Sequence, residues 1–363
     1  MAYQNVGTPR FYINLPEFVG IKDESIILNN SPSYYNYKKT HFYTLPVNPT
    51  PLYGVANIWK GAEFANNPDG GPFTWGLSSN CFVAILGHDM LLYNTSFWIS
   101  RYISYEGWYT FDPHGFALTN VVNTEFDAAA TEGTEHNTNK YYAPYNGFSI
   151  ATFVGSGTGL AWLCSNYDVP IGSIVLGEYF DMPQSPNLSL SLSYEYDGLK
   201  TITTKGGSDL SYSKYTKPKW GNLGAWELDV GSPITEMQEL RKSGRRSWDL
   251  KFSFMDDGNL WGSNQSLFKG NVAGDFGLNP ADFDTGDVAD NGDFQYNLLT
   301  DDNFFSQVWH KTNGGVLPFI FQPDNTNNKP DQFAICKFKN NSLKATQSAF
   351  NVYDISLSIE EVW

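Results

Sequence analysis

Apolar and polar residues alternate with a period of two along much of this chain, most cleanly in its last segment. Tyr353, Ile355, Leu357 and Ile359 alternate there with Asp354, Ser356, Ser358 and Glu360, which predicts a strand with one apolar face. Trp248, Leu250, Phe252 and Phe254 repeat the pattern and are expected to share one face. The segments FVAIL (82–86), SFWISRYI (96–103), GWYTFD (107–112), GFSIATFV (147–154), GLAWLCSN (159–166) and IGSIVLGEYF (171–180) read as further strands, most of them separated by Gly, Asn, Asp or Pro. Leu188, Leu190, Leu192, Tyr194 and Tyr196 alternate with Ser and Glu, and Asp197-Gly198 then precedes LKTITT. That dipeptide predicts a two-residue hairpin, because both turn positions need positive φ. One helix is expected where Phe304, Phe305, Val308 and Trp309 line one side, with a cap at Thr300 or Asp301 and a stop at Gly314-Gly315.

Short strands with turn signals predict an all-β protein: a jelly roll or β-sandwich followed by a second β-rich domain with one α-helix. A chain of 363 residues exceeds the usual size of a single core, so two domains are expected. The Pro-marked break DMPQSP (181–186) places the boundary. Residues 1–60 are aromatic and punctuated by proline, and read as an extended arm able to clamp a neighbouring subunit. Residues 61–185 then form the jelly roll and residues 186–363 the second domain. Trp363 is expected to pack against that domain or a neighbour.

Charge and cysteine usage narrow the function classes. A net charge of −15 repels phosphate backbones, so nucleic-acid binding is disfavoured. There is no run of 18 apolar residues to span a membrane, and MAYQNVGTPRFYINLPEF does not read as a signal peptide. Cys81, Cys164 and Cys336 are scattered; they give no disulfide framework and no metal-ligand spacing, and read as buried free thiols made in a reducing cytosol.

Candidate chemistry is sparse. The stretch 275–293 gathers Asp282, Asp284 and Asp287 on a Gly-containing loop. Such oxygens suit Ca²⁺, but Gly286 falls one place early for an EF-hand and no glutamate follows at the right distance. A solvated loop is the favoured reading. GSGTGL (155–160) lacks the Gly-Lys-Ser/Thr ending of a phosphate loop and is expected to be a hairpin turn. His88-Asp89 suggests a general base, yet neighbours on a strand point to opposite faces, so His88 is expected to be structural or on the surface. Glu360-Glu361 and Asp256-Asp257 read as solvated strand ends. RKSGRR, with Arg241, Lys242, Arg245 and Arg246, is the one concentrated basic patch; it is a candidate contact to an acidic neighbour, a solvated turn being the alternative. Trp98, Trp108, Tyr109 and Trp162 can stack on sugar rings or simply fill a core. No cofactor and no catalytic frame is expected.

Several stretches together resemble a family of tailed-bacteriophage virion proteins: CFVAILGHDM, SIVLGEYFDMPQSPNLSLSLSYEYDGLKTITTKGG, KPKWGNLGAWEL, SGRRSWDLKFSFMDD, LPFIFQPDNTNNKPDQFAICKF and the Trp363 ending. The ILGHD and VLGEYF segments are similar to galactose-binding-like jelly rolls. RSWDLKFSF and FIFQPD are similar to parts of distal-tail or baseplate proteins. The resemblance implies a non-enzymatic tail or baseplate component, synthesised in the host cytoplasm. Its expected partners are copies of itself in a ring and other tail proteins. Recognition of a host-surface glycan through the jelly roll is the alternative.

Overall fold

The computed structural model describes residues 6–14, 18, 43–44, 80–88, 90–92, 96–105, 108–112, 118–122, 125–126, 140–142, 147–154, 158–164, 170–171, 173–188, 191–195, 199–213, 245–261, 302–329 and 332–362. In chain order the strands are β1 (Arg10–Asn14), β2 (Tyr43–Thr44), β3 (Asn80–His88), β4 (Ser96–Tyr105), β5 (Trp108–Asp112), β6 (Leu118–Val122) and β7 (Glu125–Phe126). They continue with β8 (Lys140–Tyr142), β9 (Gly147–Val154), β10 (Thr158–Cys164), β11 (Pro170–Ile171), β12 (Ser173–Asp181), β13 (Ser191–Glu195) and β14 (Leu199–Thr203). The last are β15 (Asp209–Ser213), β16 (Arg245–Asp256), β17 (Phe319–Gln322), β18 (Ala334–Phe338), β19 (Ala345–Ala349) and β20 (Val352–Glu361). A short helix α1 (Asp257–Leu260) and a π-helix (Phe305–His310) complete the described elements. The protein is all-β.

An eleven-stranded antiparallel sheet runs β13-β16-β20-β18-β17-β1-β12-β3-β9-β6, with β19 paired to β20. A five-stranded sheet contains β10, β4, β8, β7 and β5, and β14 pairs only with β15 among the described strands. The large sheet draws on all three stretches separated by the sequence pattern. Beyond residue 185 the chain stays beside it, since Asn187 N–H donates to the Lys251 carbonyl (2.7 Å) before β13 pairs with β16.

The strand joining the two halves of the sheet comes from the expected arm. β1 pairs with β12 on one edge and β17 on the other. Phe11, Tyr12 and Ile13 are all buried, so both faces of β1 are covered. Phe11 meets Phe321 at 5.3 Å, Phe319 at 5.5 Å and Phe304 at 5.8 Å. On the opposite face Tyr12 meets Phe82 edge-on at 5.0 Å. A strand buried on both faces needs apolar residues in succession rather than alternation. All four residues of β17 are buried in the same way.

Alternation holds toward the other end of the sheet. Tyr353, Ile355, Leu357 and Ile359 are buried in β20, and Trp248, Leu250 and Phe252 in β16. Phe254 departs from its expected face. One extra residue is inserted between Phe252 and Met255, which oppose Ile355 and Tyr353. This bulge turns Phe254 outward, 74% exposed with φ 61°, and Met255 takes the buried place. The hairpin expected at Asp197-Gly198 is also corrected: β13 pairs with β16, and β14 with β15. The turn lies at 204–208, where Gly207 has φ 81° and Ser208 N–H is held by Thr204 Oγ1 (3.0 Å). GSGTGL likewise connects β9 in the large sheet to β10 in the five-stranded one rather than turning a hairpin.

The expected helix is π-wound over Phe305–His310, and beyond its end Gly314 N–H, at φ 68°, donates back to the Trp309 carbonyl at 3.0 Å. Asn303 caps it through Oδ1, which accepts from Ser306 N–H at 2.9 Å; Thr300 and Asp301 lie outside the described residues.

Candidate functional site

Four polar groupings are buried or half-buried in or beside the large sheet. Arg246 in β16 lies against Glu361 at the end of β20. Its Nε donates to Glu361 Oε2 at 3.1 Å and its Nη2 to Oε1 at 3.2 Å, while its backbone N–H reaches Oε2 at 2.9 Å. Nη2 also donates to the Phe333 carbonyl (2.6 Å), and the guanidinium sits 5.3 Å from the Trp248 ring centroid. Arg246 is thus committed within the chain rather than offered to a neighbour. Glu361, expected to be solvated, is buried for the same reason. Asp257 is buried too, and Asp256 caps α1 by accepting from Gly258 N–H at 2.9 Å.

The second grouping joins the π-helix to the sheet. Lys311 Nζ donates to Glu178 Oε2 at 2.5 Å and to Gln307 Oε1 at 2.6 Å. All three side chains are buried. Glu178 is placed by β12, directly opposite Ile13 on one side and Cys81 on the other. Burial and the nearby Glu178 carboxylate push the Cys81 thiol up to about 12, so Cys81 is an inert buried thiol, as is Cys336.

The third is His88 with Ser149. His88 is fully buried. Its Nδ1 accepts from Met90 N–H (3.4 Å), which leaves Nε2 as the protonated nitrogen donating to Ser149 Oγ (2.9 Å). Burial pushes its pKa down to about 3. A neutral ring with both nitrogens engaged is a structural histidine. In the fourth grouping Arg10 forks onto Asp181 at 2.6 and 2.8 Å, and its guanidinium stacks 4.2 Å from the Tyr179 centroid.

Outside the core the chain displays large apolar side chains. On the β14–β15 hairpin Ile202 and Leu210 face each other across the strands and are 53% and 61% exposed. The neighbouring pairs Thr201–Ser211 and Thr203–Asp209 form hydrogen-bonded polar steps. Leu188, Phe254 and Phe350 are exposed as well. This display was not anticipated from the sequence; the alternation in LKTITT and SDLSYS, around a KGG turn, was its available signal.

Arg245 starts β16 beside Arg246. Arg241, Lys242, Asp89, the acidic trio Asp282, Asp284 and Asp287, and Trp363 lie outside the described residues, as do the side chains of Trp98, Trp108, Tyr109 and Trp162. Among the described residues no group of three or more His, Cys, Asp or Glu is placed to hold a metal ion. Among them, too, no helix is long and apolar enough to cross a membrane. No protein-family model, curated protein or solved structure matches the chain.

Proposed function

We propose that this chain is a structural subunit of a tailed-bacteriophage virion, in the tail or baseplate, acting through contacts with copies of itself and with other tail proteins. The jelly-roll organisation of residues 61–185 and the non-enzymatic role belong to the same reading. The observation that carries it is the β14–β15 hairpin. A two-stranded hairpin is marginal alone in water, and this one pairs with no further strand among the described residues while presenting Ile202 and Leu210 to solvent. Exposed apolar cross-strand pairs on such an element are what a protein partner would cover. The described parts of the segments that carry the family resemblance also support the reading: they include β3, β12, β16, β17 and β18, all strands of the large sheet.

The test is the double variant Ile202→Asp/Leu210→Asp. The variant is expected to keep the wild-type circular dichroism spectrum and thermal midpoint, because neither side chain belongs to the core, and to be missing from assembled tails when supplied in place of the wild type. Normal incorporation of the folded variant would remove the hairpin from the assembly surface.

A further inference from the structure

The buried group Lys311–Glu178–Gln307 has a feature that a simple ion pair does not explain. A lysine ammonium carries three N–H donors, and among the described residues Lys311 meets two acceptors, Glu178 Oε2 and Gln307 Oε1. All three side chains are shut away from solvent. A buried ion pair is already costly to desolvate, and an unmatched donor adds to the cost. The same arrangement places an amine nitrogen 2.6 Å from the oxygen of a carboxamide, with a carboxylate 2.5 Å away on the same nitrogen. The hydrogen bond to Oε1 thus holds the amine beside the carboxamide whose carbon it would attack.

We propose that Lys311 and Gln307 become joined by an intramolecular isopeptide bond, with Glu178 carrying the protons. The Lys311 ammonium gives one proton to the Glu178 carboxylate. The neutral Nζ attacks Cδ of Gln307 and the new C–N bond forms. Glu178 then passes its proton to the departing amide nitrogen and takes another from Nζ. The Cδ–Nε2 bond breaks and ammonia leaves. No oxidant or external reagent is consumed. The products are an Nζ–Cδ amide, a protonated Glu178 and one ammonia, so a buried ion pair is replaced by neutral groups. The amide N–H and the Glu178 O–H then need one acceptor each. The four-residue spacing keeps both reacting side chains on one side of the helix, and exclusion of water protects the amide from hydrolysis. The reaction requires only the folded chain and is independent of the proposed assembly role.

Intact-mass spectrometry of the purified full-length protein tests it directly. The expected mass is below the sequence mass by one ammonia, about 17 Da. Fragmentation of the peptide containing both residues should then give no backbone cleavage products between 307 and 311, as a closed ring requires. Lys311→Met should restore the full sequence mass, and Glu178→Gln should show the unreacted mass when freshly purified. An unmodified wild-type mass overturns the proposal. So does a loss of one water, about 18 Da, which places the bond on Glu178, or a loss of ammonia that persists in Lys311→Met.

Discussion

Replacing Arg246 by methionine removes the guanidinium that forks onto the Glu361 carboxylate while keeping most of the side-chain volume over Trp248. The wild-type pair is held by two side-chain hydrogen bonds, with a third from Arg246 N–H, and the side chains are 13% and 3% exposed. Solvent screening is therefore weak. Stranding one member of such a pair costs about 3–5 kcal/mol, and the variant also abandons the Phe333 carbonyl. Arg246→Lys keeps the charge but loses the fork and the second acceptor, and is expected to fall between the two. The double variant Arg246→Met/Glu361→Met removes the stranded carboxylate and should recover part of the loss, giving a coupling of about 2–3 kcal/mol. Urea unfolding followed by tryptophan fluorescence measures these four proteins and the single variant Glu361→Met, which closes the cycle, with unchanged m-values required for comparison. A loss below about 1 kcal/mol in Arg246→Met, or no recovery in the double variant, would refute the internal pairing. The outward-facing basic patch read from the sequence would then return.

Further expectations concern other parts of the fold. Gly315→Ala should lose about 2–4 kcal/mol in the same assay, because Gly315 has φ 89° and an added Cβ would meet Phe338 Cβ at 2.8 Å; a neutral effect would mean that the turn relaxes freely. Phe11→Ala should cost about 3–5 kcal/mol by opening a cavity among Phe304, Phe319, Phe321 and Phe338, and a loss near 1 kcal/mol would show that β1 is not central to the core. Folded His88 titrates at about 3 and an unfolded histidine at about 6.5, so between those values the unfolded chain binds the extra proton. Its contribution is therefore full above about pH 6.5 and is lost as pH falls. Between pH 7 and 5 the loss amounts to about 2 kcal/mol. Stability measured across that interval should fall more steeply in wild type than in His88→Gln, and parallel profiles would contradict a neutral buried ring.

How legible the fold was depended on how each strand is buried. β20 and the first part of β16 cover one face only, and their period of two marked the buried residues. β1 is buried on both faces, so FYINL carried no alternation and looked like part of an arm; its partners are β12 and β17, far away in sequence. Phe254 could not be read correctly because a bulge shifts register by one residue, and one residue inverts every later side chain. Asp197-Gly198 had sound turn chemistry, but KGG at 205–207 lies between two strands that pair only with each other among the described residues, and there the turn closed. The polar site was the least legible. Glu178, Gln307 and Lys311 lie in unremarkable local sequence, and Glu178 is 133 residues from Lys311. Only the packing of the π-helix across β12 brings them together.

The assembly role is tested most directly by the protein composition of washed virus particles. Mass spectrometry of purified, salt-washed phage carrying this gene should find the chain in multiple copies per particle, at a fixed ratio to other tail proteins. Its absence from washed particles, with the protein abundant in the infected-cell lysate, would contradict the account.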